Sequence, residues 1–316
     1  MKRTLILLLI LLLLPVFGCG TQTVSSAVGF ACDTVVTIRA YAPQETVDDA
    51  LRLVSDYERV LSKTVENSDV WKLNHAAGQP VEVNPETAEL LRLAVAISAD
   101  CDGAFDVSIA PLSALWDFTA ESPSLPDADA LQNAAALVDY RNIVIEGNTV
   151  TLRNGASVDL GGVAKGYIAD RVAEFLKQSG VRHACINMGG NVLVFGGKPD
   201  GTAWQIGVRD PNGTPEQSEE VLSLTDGAVV TSGNYERFFE LDGVRYHHIL
   251  DPKTGMPVQN GLASVTILTG QSALADALST ACFVLGPEAS EPLLLRYGAR
   301  AIFLFTDGTR ITVGEP

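Results

Sequence analysis

Alternating and amphipathic stretches divide this chain of 316 residues into short strands and helices that follow one another irregularly. Apolar and polar positions alternate at 34–41 (TVVTIRAY), and further strands are predicted at 184–187, 204–208, 263–268 and 301–305. Helical patterns run from a possible cap at Thr46 to Leu61 and over 84–99, 162–178 and 271–284. Hairpins are predicted at 143–152 and 237–249, around Gly147-Asn148 and Asp242-Gly243. This irregular order predicts one α+β or mixed α/β domain, with mixed sheets and packed helices, over a doubly wound parallel sheet.

The first 18 residues are predicted to be a lipoprotein signal peptide. A basic start (Met1-Lys2-Arg3) precedes an apolar run from Leu5 to Leu14, which is shorter than a membrane span. The Gly18-Cys19 step is typical of a lipobox, so Cys19 is expected to carry a lipid. Phe17 is bulkier than usual there, which leaves simple secretion or an uncleaved anchor as alternatives. Residues 19–28 would be a tether and 29–316 the domain, on the outer face of the cytoplasmic membrane.

The net charge and the cysteine spacing exclude several classes of binding partner and site. The formal net charge of −16 argues against nucleic acid and anionic lipid, because both are bound through excess lysine and arginine. The spacing of Cys32, Cys101, Cys185 and Cys282 fits neither a zinc site nor a CxxC redox pair. Four buried free thiols are the expected state, with a disulfide among them left open.

A glycine- and lysine-containing segment, DLGGVAKGYIADR at 159–171, stands where a strand-like stretch (156–160) meets a predicted helix. Two adjacent glycines let a ligand approach the backbone, and free amides at a helix start favour an anion. Lys165 adds a positive charge, so the segment suggests a phosphate-bearing ligand. It matches neither a Walker A loop nor a dinucleotide fingerprint. A plain turn with a solvated Lys165 is the alternative.

Two further pairs of residues suggest a metal site and a catalytic base. Asp276 and Thr280 are four residues apart in an apolar helix, so they share a face and offer oxygens suited to Mg²⁺. Alternatively, Asp276 pairs with an arginine or caps a turn. His247 and His248 end a predicted strand, so their side chains should point to opposite faces. His248 is the better catalytic candidate, although a single histidine is more often structural.

Taken together, motifs along nearly the whole chain resemble the ApbE-like FAD:protein FMN transferases. In sequence order these are FACDT (30–34), LS with SDVWKLN (61–74), DGAFD (102–106), DLGGVAKGYIADR, NMGGN (187–191), TSGNYERFF (231–239), HHILDPKTG (247–255) and ALADALSTA (273–281). The resemblance implies the ApbE-like fold. It also agrees with a lipoprotein signal.

The resemblance implies a set of site residues. FAD would contact Cys32, Ala104, Phe105, Asp106, Asp159, Lys165 and Ile249. Mg²⁺ would be held by the Gly162 carbonyl, Asp276 and Thr280, and His248 would be the general base. The family often has methionine where this chain has Cys32. The aromatic residue that often covers the flavin is also missing: Thr64 stands at about that position, and Trp71 is a candidate replacement.

The implied reaction is phosphoryl transfer. A threonine or serine hydroxyl of a partner protein, within a short flavinylation motif, would attack the FMN-side phosphorus of FAD and release AMP. Such chemistry needs positioning and charge neutralisation. Two alternatives stay open, a Mg²⁺-dependent FAD pyrophosphatase that uses water and a flavin-binding lipoprotein without catalysis.

Overall fold

A large antiparallel sheet with helices on one face organises the computed structural model, which describes residues 23–120, 123–211, 213–214 and 217–314. The sheet consists, in spatial order, of β1 (Ser25–Ala31), β2 (Thr34–Ala40), β6 (Ala184–Met188), β7 (Asn191–Phe195), β10 (Gly227–Gly233), β13 (Leu262–Thr269), β14 (Arg300–Phe305) and β15 (Arg310–Val313). Each neighbouring pair is antiparallel.

Smaller sheets and the helices complete the fold. The small sheets are β3 (Val81–Glu82) with β5 (Thr149–Leu152) and β4 (Ile143–Glu146), β8 (Trp204–Arg209) with β9 (Ser218–Leu224), and β11 (Phe238–Leu241) with β12 (Val244–His247). The helices are α1 (Gln44–Leu61), α2 (Asp69–His75), α3 (Pro85–Asp100), α4 (Ala110–Ser113), α5 (Ala128–Ala135), α6 (Ala164–Gln178), α7 (Ser272–Leu285) and α8 (Pro287–Tyr297). No helix in the described ranges has the length and apolar character needed to cross a membrane.

The core follows from strand alternation. The inward residues of β2, Val36, Ile38 and Ala40, pack in the same cluster as the apolar stripes of α1, α6 and α7. Helix α7 is buried along most of its length, which explains its apolar sequence. On the other face of the sheet, the β8–β9 hairpin packs Trp204 and Ile206 against the central strands. The protein is therefore layered, with the helices on one face and a hairpin on the other.

The predicted helices and hairpins are present, with ends shifted by a few residues. Two sequence assignments differ from the structure. Residues 156–160 form no strand; Ser157 makes only an isolated bridge to Ile109. Residues 25–28, which were assigned to the tether, belong to β1 and pair with β2. The small residues of SSAVGFA give a weak strand signal, and the pairing that makes it a strand comes from β2.

Two tight turns lie side by side at one end of the large sheet. The β1–β2 turn has Cys32 and Asp33 at φ 52° and 56°, and the β6–β7 turn has Gly189 and Gly190 at φ 61° and 98°. Two-residue hairpins favour such left-handed pairs because their twist matches that of the strands. At Gly189 a Cβ atom would stand 2.0 Å from the Thr34 hydroxyl, so the two turns pack directly.

Candidate functional site

Helices α6 and α7 each supply an aspartate that caps the first turn of the other. Asp276 of α7 accepts a hydrogen bond through Oδ2 from the Gly166 amide of α6, at 2.9 Å. In return, Asp170 of α6 accepts from the Ser272 and Ala273 amides of α7, both at 2.9 Å. Neither helix has a cap from its own N-cap side chain. The two helices therefore satisfy each other's free first-turn amides.

Glycine at position 166 permits this contact. A Cβ atom there would lie 2.2 Å from the Ser272 carbonyl oxygen and 2.5 Å from its carbon. Both are backbone atoms, which cannot rotate away. The glycine thus sets how closely α6 and α7 approach and places Asp276 beside the start of α6.

The three residues predicted to bind Mg²⁺ lie at this junction. Asp276 is buried, and its second oxygen, Oδ1, lies 3.9 Å from Lys165 Nζ. A Cβ atom on Gly162 would lie 3.4 Å from the Thr280 hydroxyl, so the Gly162 backbone and Thr280 are neighbours. Carboxylate, hydroxyl and carbonyl oxygens are the donors that Mg²⁺ prefers. In the described residues no cluster of three or more His, Cys, Asp or Glu side chains could hold a metal. Mg²⁺ here would complete its shell with water or substrate oxygens.

Lys165 supplies the positive charge of the cleft. It stands in the first turn of α6, and its ammonium donates to the Gly161 carbonyl at 3.2 Å. Its charge also acts on Cys32 and His248. Burial and then the Glu58 carboxylate raise the pKa of the Cys32 thiol to about 11, and Lys165 opposes this rise. Cys32 and His248 therefore both lie within electrostatic range of Lys165.

The two histidines differ as the alternation predicts. His247 is buried; its Nε2 lies 2.8 Å from the Val258 carbonyl, and its Nδ1 accepts from the Ile249 amide at 3.3 Å. Both ring nitrogens are thus used inside the fold. The His248 side chain is exposed to solvent, and its backbone amide donates to the Arg237 carbonyl. His248 is therefore the histidine free to accept a proton.

The surroundings of His248 favour its neutral form. Neighbouring protein atoms remove water from part of the ring, and this desolvation and then the positive charge of Lys165 lower the pKa of the imidazole. The direction follows from these neighbours, while the solvent-open side of the ring moderates the size of the shift. A neutral imidazole at neutral pH is the form that a general base requires.

Asp159 belongs to a hydrogen-bonded group that the sequence did not reveal. Its Oδ2 pairs with Lys63 Nζ at 2.6 Å and accepts from the Ser113 hydroxyl at 2.9 Å, while Oδ1 accepts from the Gly161 amide at 2.9 Å. Burial alone would raise the pKa of Asp159, but Lys63 and these hydrogen bonds outweigh it and lower the pKa. The ionised carboxylate thus fixes the glycine turn that leads into α6.

Lys63 was missed because nothing in its local sequence marks it. It stands 96 residues from Asp159 and follows the end of α1. The only available signal was its place inside the LS segment of the resemblance. With Lys63 included, two lysines border the glycine turn.

The predicted FAD contacts include three residues of the DGAFD segment and Ile249. Asp106 accepts from the Ser108 amide and hydroxyl and from the Tyr140 amide, so both of its oxygens are used within the protein. Phe105 is buried beside Gly162, whose Cβ position would lie 3.1 Å from the phenyl ring. Ala104 and Ile249 are also buried. Phe105 thus contacts the glycine turn directly, and the contact of all four residues with FAD stays a prediction.

Cys32 and Trp71 complete the predicted set. The Cys32 amide donates to Glu58 Oε1 at 2.7 Å, which helps to hold the β1–β2 turn. Cys32, Cys101, Cys185 and Cys282 are free thiols; two are buried and two half-buried. Trp71 stacks on His75, with 4.1 Å between the ring centroids. Cys19, the predicted lipidation site, lies outside the described residues.

Comparisons with known proteins show the family to which this chain is related. The family model described as the ApbE family matches residues 32–303. A FAD:protein FMN transferase of Treponema pallidum is 37% identical over 298 residues, covering 87% of this chain and 82% of the relative. One from Klebsiella pneumoniae is 38% identical over 258 residues, covering 80% of each chain.

Solved structures with the same fold include two ApbE proteins. The Thermotoga maritima ApbE protein superposes with a TM-score of 0.85 at 35% identity, covering 92% of this chain and 97% of that protein. The apo flavinyl transferase ApbE of Pseudomonas stutzeri gives 0.81 at 31% identity, with 92% and 94% coverage. Both similarities extend over the whole described domain.

Proposed function

This chain belongs to the ApbE family, and from that premise we propose that it transfers FMN from FAD to a threonine or serine hydroxyl of a partner protein, releasing AMP in a Mg²⁺-dependent reaction. The observation that carries the proposal is the junction of α6 and α7. Here a buried carboxylate (Asp276), a hydroxyl (Thr280) and the Gly162 backbone lie beside Lys165. These groups suit a metal-bound pyrophosphate. FMN transfer must break a phosphorus–oxygen bond within this pyrophosphate.

The start of α6 is suited to the pyrophosphate. The positive end of the α6 dipole favours negative charge, and Lys165 adds a full positive charge. When bound at Gly162, Asp276 and Thr280, Mg²⁺ would neutralise charge on the phosphate oxygens. Lys165 also helps to hold the phosphates in one orientation, which is the main requirement of phosphoryl transfer.

His248 performs the proton transfer. The acceptor hydroxyl forms a bond to the FMN-side phosphorus while the bond from that phosphorus to the oxygen of AMP breaks. The hydroxyl proton passes to the neutral imidazole of His248, whose pKa is lowered by burial and Lys165. FMN then remains on the acceptor as a phosphoester, and AMP carries the negative charge of the broken bond.

The acceptor and the location complete the proposal. The acceptor is a protein with a short threonine- or serine-containing motif, and its hydroxyl must replace water next to His248. The enzyme is held on the outer face of the cytoplasmic membrane by a lipid on Cys19. This placement is supported by the sequence of residues 1–19 alone.

Mass spectrometry tests the reaction. Enzyme, FAD, Mg²⁺ and an acceptor with a family-type threonine motif should give an acceptor heavier by one FMN phosphoester, together with AMP. Changing that threonine to alanine should abolish the gain. Free FMN and AMP without labelled acceptor, over several authentic partners, would establish the pyrophosphatase instead.

Anchoring has a separate test. Cys19→Ala should release the protein from the membrane or leave an uncleaved precursor, because the lipid can no longer be attached. A Cys185→Ala variant should behave like the wild type. A mature Cys19→Ala protein that stays on the membrane would contradict the anchor.

A further inference from the structure

The outer face of the β1–β2 hairpin is apolar and exposed. Phe30 and Val28 of β1 are 72% and 65% exposed, Val35 of β2 is 56% exposed, and Val24, just before β1, is 53% exposed. In the register Phe30 lies directly opposite Val35, so these side chains share one face of the sheet. We call these four residues the hairpin face.

The hairpin face lies at the edge of the sheet, where no other part of the described structure covers it. The β8–β9 hairpin covers the same side of the central strands with Trp204 and Ile206. Strand β1, by contrast, forms the edge of the sheet. Exposed apolar edge strands invite unwanted pairing, and contiguous apolar patches mark interaction surfaces. The hairpin face therefore needs a partner.

Charge distinguishes the hairpin face from the rest of the protein. The chain carries a net charge of −16, yet the other outward positions of the hairpin are Ser26, Thr37 and Arg39. Asp33 in the turn is paired with Arg237, with 3.4 Å between the charged atoms. Against an anionic bilayer the acidic remainder of the protein is repelled, whereas this face is not.

The course of the chain identifies the partner. The described structure begins at Thr23, two residues before β1, and the preceding sequence holds the apolar run 5–14 and Cys19. Fully extended, the six steps from Cys19 to Ser25 span at most about 21 Å. A lipid on Cys19 or an uncleaved anchor would both keep β1 beside the bilayer.

We infer that the hairpin face rests on the membrane surface, with Val24, Val28, Phe30 and Val35 in the boundary between headgroups and acyl chains. This inference rests on the proposed anchoring. The hairpin ends in the Cys32–Asp33 turn, where Asp33 pairs with Arg237, and the Arg237 carbonyl accepts a hydrogen bond from the His248 amide. Docking the hairpin therefore fixes the cleft close to the bilayer, where it selects acceptor hydroxyls near the membrane surface.

Tryptophan fluorescence tests the docking. The full chain with Phe30→Trp is reconstituted in vesicles of phosphatidylcholine and phosphatidylglycerol, with or without brominated acyl chains. The matched control is Leu295→Trp, since Leu295 is 64% exposed on α8, which packs at the opposite edge of the sheet. The added tryptophan at position 30 should show a blue-shifted emission and about twice the quenching of the control, because an apolar face inserts to the acyl boundary.

A longer tether distinguishes binding of the hairpin face to lipid from proximity that the anchor alone imposes. Ten glycine and serine residues inserted after Gly20 should leave the quenching at position 30 unchanged if the face binds lipid. Loss of quenching with the longer tether, or equal quenching at positions 30 and 295, would overturn the inference. A blue shift of the tryptophan at position 30 that occurs only after an acceptor protein is added would show that the hairpin face binds protein and not lipid.

An activity measurement keeps this inference distinct from the proposed function. Phe30→Ser combined with Val35→Ser should lower transfer to a membrane-anchored acceptor by roughly tenfold, the factor for losing partial burial of one large apolar side chain. Transfer to a soluble fragment of the same acceptor should not change. Equal loss with both acceptors would contradict docking, whereas absence of transfer with either acceptor in the wild type would refute the proposed function alone.

Discussion

Substituting Gly166 by alanine tests whether the contact between α6 and α7 builds the site. In an exposed helix this change would stabilise the protein by about 1 kcal/mol, because alanine has the higher helix propensity. Here the new Cβ atom would stand 2.2 Å from the Ser272 carbonyl oxygen and 2.8 Å from the Ala273 Cα atom. The two helices must separate to relieve the overlap.

The clash outweighs the gain in helix propensity. Overpacking a core costs about 1–3 kcal/mol, and the upper end applies because the opposing atoms belong to the backbone. The net loss should be about 2 kcal/mol, or a fall of roughly 4–8 °C in Tm for a domain approaching this size. Separation also stretches the Gly166–Asp276 hydrogen bond, so the Mg²⁺ concentration for half-maximal activity should rise.

Thermal unfolding and a magnesium titration of activity measure the two effects. Gly270→Ala is the matched control, because a Cβ atom at Gly270 meets no atom within 4 Å. Its Tm should stay at or above that of the wild type. A Gly166→Ala variant with unchanged Tm and unchanged magnesium dependence would refute the view that this glycine positions Asp276.

Three further changes probe the charged groups. His248→Ala should lose about 10²–10⁴-fold in turnover while still binding FAD, and His247→Ala, which loses internal hydrogen bonds, should mainly lower Tm; the reverse ranking would contradict the assignment of the base. Asp276→Asn should abolish Mg²⁺-dependent activity but retain the fold, since its side-chain amide oxygen can still accept from the Gly166 amide; wild-type activity and metal dependence would argue against a ligand role. Lys63→Met should destabilise the protein, because Asp159 stays buried without its cation. Since the folded pKa of Asp159 is lowered, its stabilisation is present above about pH 4 and is lost as the pH falls through the lowered value. The difference between wild type and variant in urea unfolding should therefore shrink as the pH falls below about 4.

Sequence patterns sufficed for elements whose burial is periodic or whose ends carry turn residues. The helices at 85–100, 164–178 and 272–285 and the hairpin at 143–152 are of this kind. Strand β1 was not predicted, because its small residues form a strand only by pairing with β2. The order of strands in the large sheet depends on contacts between distant segments, which local patterns do not encode.

The candidate site likewise contains residues that local patterns predicted and residues that they did not. Helical spacing correctly placed Asp276 and Thr280 on one face, and strand alternation separated His247 from His248. Lys63 and Asp170 were not predicted, because each acts on a residue about 100 positions away. A lysine after a helix or an aspartate within one has no distinct local pattern. Of the two alternatives for Asp276, an arginine partner or a cap on a neighbouring turn, the second is observed: its Oδ2 accepts from the Gly166 amide, while its Oδ1 approaches Lys165.

The mutual capping of α6 and α7 has a consequence for how the enzyme becomes active after synthesis. The bonds from Asp276 to Gly166 and from Asp170 to Ser272 join segments 110 and 102 residues apart. Neither helix start is complete until the chain between them, including β6 to β13, has folded. Contacts of such long sequence separation form late because loop closure must precede them. A nascent or partly unfolded chain therefore lacks the carboxylate and amide arrangement of the site, which is assembled only when both segments have folded.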